Sequence, residues 1–274
     1  MPVISTNNAA NSALNYLNQN SNAETNQLAE LASGSRITQA SADAAGLAIG
    51  TQLQASVTTY TQDQTNVQQG TAILQTADGA LAQISNILQR MMALATEAAS
   101  GQVTDNQRSQ DINTEYSQLS AQITSIVGST QYAGQTVLSG SFLQNVKFLT
   151  GTTSANTISV TVSAVSVSSL GLAASAVTSA SAALSAIGLI NSAINMVTEE
   201  RAKIGAYESR FNFSNQDIST NVQNISAAES VIMDADVASV KSSLSATDVK
   251  TQASVAALTQ AAQLPQELLR LIQS

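Results

Sequence analysis

From Ile190 onward an apolar residue returns every seven positions: Ile190, Val197, Ile204, Phe211, Ile218, Ile225 and Ile232. A seven-residue return held this long favours a coiled-coil seam over an ordinary globular helix. The companion positions are Ile187, Ile194, Arg201, Glu208, Asn215, Val222 and Glu229. Their polar members narrow the seam, so that it meets different partners on different faces. A second stripe, spaced by three and four, runs Ile73, Ala77, Ala80, Ile84, Ile87, Met91, Leu94 and Ala98. A third follows the turn-like Ser100-Gly101 as Ile112, Tyr116, Leu119, Ile123 and Ile126. That spacing places side chains on one face of a helix. Asp105 is placed to cap the third run, with its charge at the positive helix end. The only prolines are Pro2 and Pro265, so nothing in between interrupts long helices.

The ends carry the same pattern more weakly. Leu14, Leu17, Leu28 and Leu31 share a stripe near the start, and Val237, Val240, Leu244, Val255 and Leu258 form another near the end. Pro265 suits the first position of a short last helix, where a missing N–H costs nothing. Both end segments are rich in Asn, Gln, Ser and Ala, so the area they bury alone does not offset an ordering entropy of roughly 1–2 kcal/mol per residue. Such segments fold when a partner supplies the missing surface. The middle differs. Thr157–Val167 alternates Ile158, Val160 and Val162 with Ser and Thr, the period of a half-buried strand. Gln131–Leu138 and Lys147–Leu149 read as short strands near glycine turns, 150–156 as a loop, and 173–186 as an Ala/Ser connector. The expected fold is mainly α: an elongated antiparallel helical coiled-coil rod, with a small β-hairpin insert at the end distal to the termini.

Composition removes most chemistry. There is no Cys and no His, so thiol nucleophiles, disulfides, Cys-ligated metals and imidazole-based catalysis are all absent. A net charge of −8 argues against a nucleic-acid partner, which needs a basic face. Neither a membrane span nor an N-terminal Sec signal is legible. No phosphate-binding glycine loop follows a strand. The tight carboxylate clusters, Glu199-Glu200 and Asp234-Ala235-Asp236, read as solvated helix surface, because neighbours at one and two residues do not face each other. Catalytic, cofactor and metal sites are therefore all expected to be none. Asn212-Phe213-Ser214 and Asn224-Ile225-Ser226 fit the N-glycosylation pattern but fall within predicted helix.

Several segments carry a family resemblance. LAELASGSRITQASADAAGLAIGTQL from Leu28 closely resembles the N-terminal signature of bacterial flagellins. RAKIGAYESRFNFSNQDISTNVQNISAAESVIMDADVA from Arg201 and AAQLPQELLRLI near the end resemble their C-terminal region. ADGALAQISNILQRMMALATEAASG resembles the family's second helix, and YAGQTVLSG with TISV…LGL its β-hairpin region. The likeness covers nearly the whole chain and is weakest at 141–186.

The resemblance implies a structural subunit that self-assembles into the extracellular flagellar filament for motility, leaves the cell unfolded by type III export, and folds on assembly. It implies an inner-tube domain of 1–42 with 233–274, an outer-tube domain of 43–140 with 187–232, and a small surface insert at 141–186 whose Ser/Thr-rich 150–181 is suited to O-linked sugars. Leu14, Leu17, Leu28, Leu31, Val255, Leu258, Leu264 and Leu268 are expected to line the inner helices as self-assembly residues. The implied partners are copies of the chain itself, an export chaperone, and filament cap and hook-junction proteins. Members recognised by the vertebrate innate flagellin receptor carry a QRVREL-like stretch. Gln89, Arg90 and Leu94 keep it, whereas Met92 and Ala93 replace an arginine and a glutamate, which implies weakened recognition. In the N-terminal signature Ser41 and Ala42 replace the usual Lys and Asp, so a local ion pair is lost there. The alternative within the same architecture is a hook–filament junction (hook-associated) protein. Outside it, the alternatives are an adhesive module and an enzyme built on an unusual carboxylate site.

Overall fold

The computed structural model describes residues 7–272; beyond residue 263, only the side chains of Pro265 and Arg270 are described. The chain is mainly α. The elements are α1 Asn8–Ser33, α2 Ala44–Ala99, α3 Asp105–Gln107, a π-helical turn Arg108–Ile112, α4 Asn113–Ser129, β1 Gln131–Tyr132, β2 Gln135–Thr136, β3 Val146–Leu149, β4 Thr157–Val160, α5 Ala180–Met233 and α6 Val237–Ile272. It divides into two compact units, Met1–Val57 with Asn224–Ser274, and Thr58–Gln223.

The second unit holds the core. On α5 the seven-residue positions Ile190, Val197, Ile204, Phe211 and Ile218 are all buried. On α2 two interleaved series are buried in the same rhythm: Val67, Leu74, Leu81, Leu88 and Ala95, and Ala77, Ile84, Met91 and Ala98. The sequence stripe captured only one edge of this seam. The polar companion Arg201 is used across it, donating to Asp78 at 2.8 Å. One stretch of α5 is apolar and long enough to cross a membrane by length and composition alone, contrary to the sequence reading. Its Ala183, Ala186, Ile190, Ala193 and Val197 are buried in this core.

Two antiparallel hairpins complete the unit. β1 pairs with β2 across Ala133 and Gly134, which both take positive φ. β3 pairs with β4 in the register Phe148↔Ile158. The expected strand to Val167 is shorter, because beyond Val160 the backbone bonds elsewhere: Val162 N–H to Leu143 O and Val165 N–H to Leu138 O. Its alternation persists, with Ile158, Val160 and Val162 buried. The connector is shorter too. α5 begins at Ala180, and Ala183 and Ala186 are buried, since small side chains let backbones approach closely.

Two end signals also resolve differently. The α3 cap is Thr104, not Asp105: Thr104 and Gln107 form a reciprocal capping box, and Asp105 at the next position pairs instead with Arg108. Pro265 lies inside α6 rather than opening a separate helix. The carbonyl its missing N–H would leave open, that of Ala261, accepts the Asn7 side-chain amide at 2.7 Å.

Candidate functional site

The first unit is built sparingly. Among its described apolar residues only Ile37, Leu244 and Ala261 are buried, and α1 has no buried residue at all. α1 starts at Asn7, whose side chain accepts from Ala10 N–H at 3.0 Å, and stops at Gly34 in the left-handed region, φ 71°. A glycine there avoids the Cβ penalty of that conformation. α1 packs on α6 with few large side chains. Polar bonds register the pair: Asn7 to Ala261 O, Asn20 Nδ2 to Ser254 Oγ at 3.0 Å, and Thr251 Oγ1 to Glu24 Oε2 at 3.4 Å.

The turns joining these helices to the rest clasp each other. Ser35 and Asp234 form an antiparallel bridge. Arg36 N–H donates to Met233 O at 2.7 Å, and Ala235 N–H to Gly34 O at 2.9 Å. The Arg36 guanidinium donates to Ile232 O at 2.8 Å and reaches Asp43 at 3.8 Å. Asp43 also caps α2 by accepting from Gly46 N–H at 2.8 Å. The signature segment around Ser41 and Ala42 therefore keeps one ion pair. Asp236 caps α6 through Ala238 and Ser239 N–H, at 3.0 and 3.1 Å, and Asp234 accepts from Ser230 Oγ.

The anticipated assembly residues fall into two groups. Leu14, Leu28 and Val255 are exposed, at 45%, 59% and 45%. Leu17, Leu31 and Leu258 are half-buried. Leu264 and Leu268 lie outside the described side chains. Val237, read as part of the α6 stripe but not as an assembly residue, is also exposed, and so are Tyr16 and Val249, which sequence reasoning missed. Their apolar character was the available signal. Beside Tyr16, a cleft lined by Ala13, Asn20, Lys250, Ala253, Ser254 and Ala257 opens between α1 and α6.

In the second unit the QRVREL-like positions separate. Gln89 and Arg90 are exposed, and Leu94 is buried. Arg90 is held by Glu115, Nε to Oε1 2.7 Å. Met91 is fully buried in the seam.

The carboxylate reading needs correction at one residue. Glu199 is solvated, but Glu200 is buried. It accepts from Ser163 N–H at 3.1 Å and Lys203 Nζ at 2.9 Å. Burial pushes its carboxyl up, but Lys203 and the Ser163 N–H outweigh that and hold it below the usual range. The bonds to Glu199 and Glu200 in turn raise the Lys203 ammonium. This is a structural anchor for the segment after β4. The other unforeseen anchor is Arg108, also buried. Its guanidinium donates to Ala98 O, Ser100 O and Asp105 at 2.6, 2.7 and 2.6 Å, satisfying carbonyls at the end of α2.

Comparison with known proteins gives a consistent picture. Residues 4–143 match the family described as the bacterial flagellin N-terminal helical region, and 187–272 match the bacterial flagellin C-terminal helical region. The chain is 34% identical to a flagellin of Halalkalibacterium halodurans, covering 89% of each chain. It is 31% identical to a flagellin of Bacillus subtilis, over 96% of this chain and 97% of that one. It is likewise 31% identical to the flagellar filament 30.7 kDa core protein of Treponema maltophilum, over 89% and 90%. The crystal structure of Bacillus cereus flagellin aligns with a TM-score of 0.50 at 28% identity, covering 60% of this chain and 94% of that one.

Proposed function

The chain belongs to the bacterial flagellins, and from that membership we propose that its sparsely built α1–α6 pair is the surface on which subunits join. The protein is a structural subunit of the bacterial flagellar filament, exported and extracellular, and its principal partner is itself. The matched families and relatives are filament proteins, so nothing favours the hook–filament junction reading.

The observation that carries the joining surface is the exposure of Leu14, Leu28 and Val255 on two helices that bury so little between themselves. Apolar side chains left in water this way gain by burial against another copy, at about 25 cal/mol per Å². In this reading 1–42 with 233–274 form the inner tube, 43–140 with 187–232 the outer tube, and 141–186 the outward-facing part. The division into two compact units supports a two-part subunit. Export unfolded and folding on assembly fit a chain without Cys whose first unit has few buried apolar residues. An export chaperone, the filament cap and hook-junction proteins are the further partners. Weakened recognition by the vertebrate innate receptor is supported by Met92 and Ala93, by the buried Leu94, and by the capture of Arg90 by Glu115.

The test is seeded growth of purified monomer, followed by negative-stain microscopy. Leu28→Asp should leave the thermal unfolding of the monomer unchanged and stop elongation, because it would bury an unpaired charge at the joint. Filaments of normal length from Leu28→Asp would overturn the assignment.

A further inference from the structure

The α2 seam contains one residue of the wrong chemistry. Counting back by sevens from Ala98 through Met91, Ile84, Ala77 and Gly70 leads to Asp63. All of these positions are buried, and Asp63 is only 1% exposed. Its Oδ2 is buried without a hydrogen-bond partner, and so is the Oδ1 of Asn215 on the facing stretch of α5. The antiparallel pairing of the helices puts the two close in register. Gly70 meets Phe211, and Val67 shares a notch with Asn212 and Asn215. Asp63 Oδ2 therefore lies in the seam with no donor on it, close in register to a second unmet acceptor on the half-buried Asn215.

No cation offsets the acid. The charged groups along this stretch of α5 are Arg210 and Asp217, both exposed. β3, whose Phe148 also packs on Gly70, brings only the exposed Lys147. On α2 itself the nearest titratable groups are Tyr60, half-buried, and Asp78, which is committed to Arg201.

We propose that Asp63 is a proton-operated element of the seam: the second unit closes fully with this carboxyl neutral and loosens when it ionises, so the subunit responds to the pH around the filament. The proton comes from bulk water onto Oδ2 and turns an unmatched acceptor into a hydroxyl donor. Burial acts in the same direction, pushing Asp63 above its ordinary value of 3.8. Since the folded state holds this proton more tightly than the unfolded chain, the stabilisation is complete below that ordinary value. It is lost as pH rises through the folded value.

The test compares unfolding constants of the full-length monomer, wild type against Asp63→Asn, between about pH 4 and 8. Asn imitates the neutral acid, so the two should respond alike at the acid end. The wild-type constant should then rise relative to Asp63→Asn by roughly tenfold per pH unit, until it levels off. A ratio that does not change with pH overturns the proposal. So does an equal change in the exposed control Asp217→Asn. If Asp63→Asn does not fold, carboxyl carbon NMR of the wild type decides: an Asp63 signal titrating well above 3.8 supports the switch, and one at or below it refutes it.

Discussion

The Asn7 side-chain amide donates to the carbonyl oxygen of Ala261 at 2.7 Å, making the bond that Pro265, four residues further along α6, has no N–H to make. One side chain serves two helices, because the Asn7 Oδ1 also caps α1 by accepting from Ala10 N–H. Asn7→Asp keeps the cap and loses the amide donor. It should cost about 1–2 kcal/mol, read as faster hydrogen exchange in α6. Pro265→Ala restores the helix's own donor. The two changes should therefore couple, with Asn7→Asp costing much less in the Pro265→Ala background. Strict additivity would show that the bond is incidental.

Phe148 and Phe211 meet edge to face, with ring centroids 5.3 Å apart, and both rings lie against the bare Cα of Gly70. A methyl added there would stand 3.0 Å from Phe211 Cζ. Gly70→Ala should therefore destabilise the second unit by about 1–3 kcal/mol through overpacking, even though alanine is the better helix former. Phe211→Ala, which empties a fully buried site, should cost about 3–5 kcal/mol. Denaturant unfolding monitored by circular dichroism measures both, and an unchanged midpoint for Gly70→Ala would contradict the packing account.

Arg108 is the residue whose loss should be felt at the α2–α4 corner. Arg108→Ala removes the donor from the Ala98 carbonyl and the shorter of the two bonds to the Ser100 carbonyl, which keeps only the Val103 N–H at 3.4 Å, at about 1–3 kcal/mol. Arg108→Lys should recover only part of this, because an ammonium lacks the fork that reaches two carbonyls and a carboxylate together. Equal stability of Arg108→Lys and wild type in urea would argue against that geometry.

Glu200 and Asp63 should give opposite pH limbs. With the Glu200 carboxyl held below its ordinary 4.5, its contribution is present above that value and disappears as pH falls through the folded one. Glu200→Gln keeps the shape and should flatten the acid limb of the stability profile, leaving to Asp63 the loss that sets in as pH rises above about 3.8. A Glu200→Gln profile that still falls as steeply as wild type below about pH 4.5 would place the acid sensitivity elsewhere.

The helices and their buried faces were legible because periodicity is a local property. Ile190 to Ile218 announces its own buried side at every seventh residue, and Ile158, Val160 and Val162 do so at every second. What a side chain meets across the fold is not local. Glu200 stands beside Glu199 in the chain, yet one is buried and the other solvated, because only Glu200 faces the Ser163 backbone. Asp63 looks like helix surface until the seam is counted backward from Ala98. Asp105 has cap chemistry, but Thr104 with Gln107 satisfies two donors where Asp105 would satisfy one. Pro265 breaks helices in general and not here, because the group that repairs the break comes from residue 7. On α1 and α6 the apolar stripes were readable as stripes. Which leucines remain exposed depends on how few large side chains the two helices offer each other.

Asn7 with Ala261, Asn20 with Ser254 and Glu24 with Thr251 join residues separated by 254, 234 and 227 positions. A chain that appears one end first, in either direction, cannot make this pair until its opposite end has arrived, and closing so long a loop is slow. In the proposed assembly, presentation of the α1–α6 surface thus becomes the last event in the life of each molecule as a monomer. On that proposal the pairing acts as a clock and an inspection at once: a chain lacking α1 or α6 offers the next subunit no place to land.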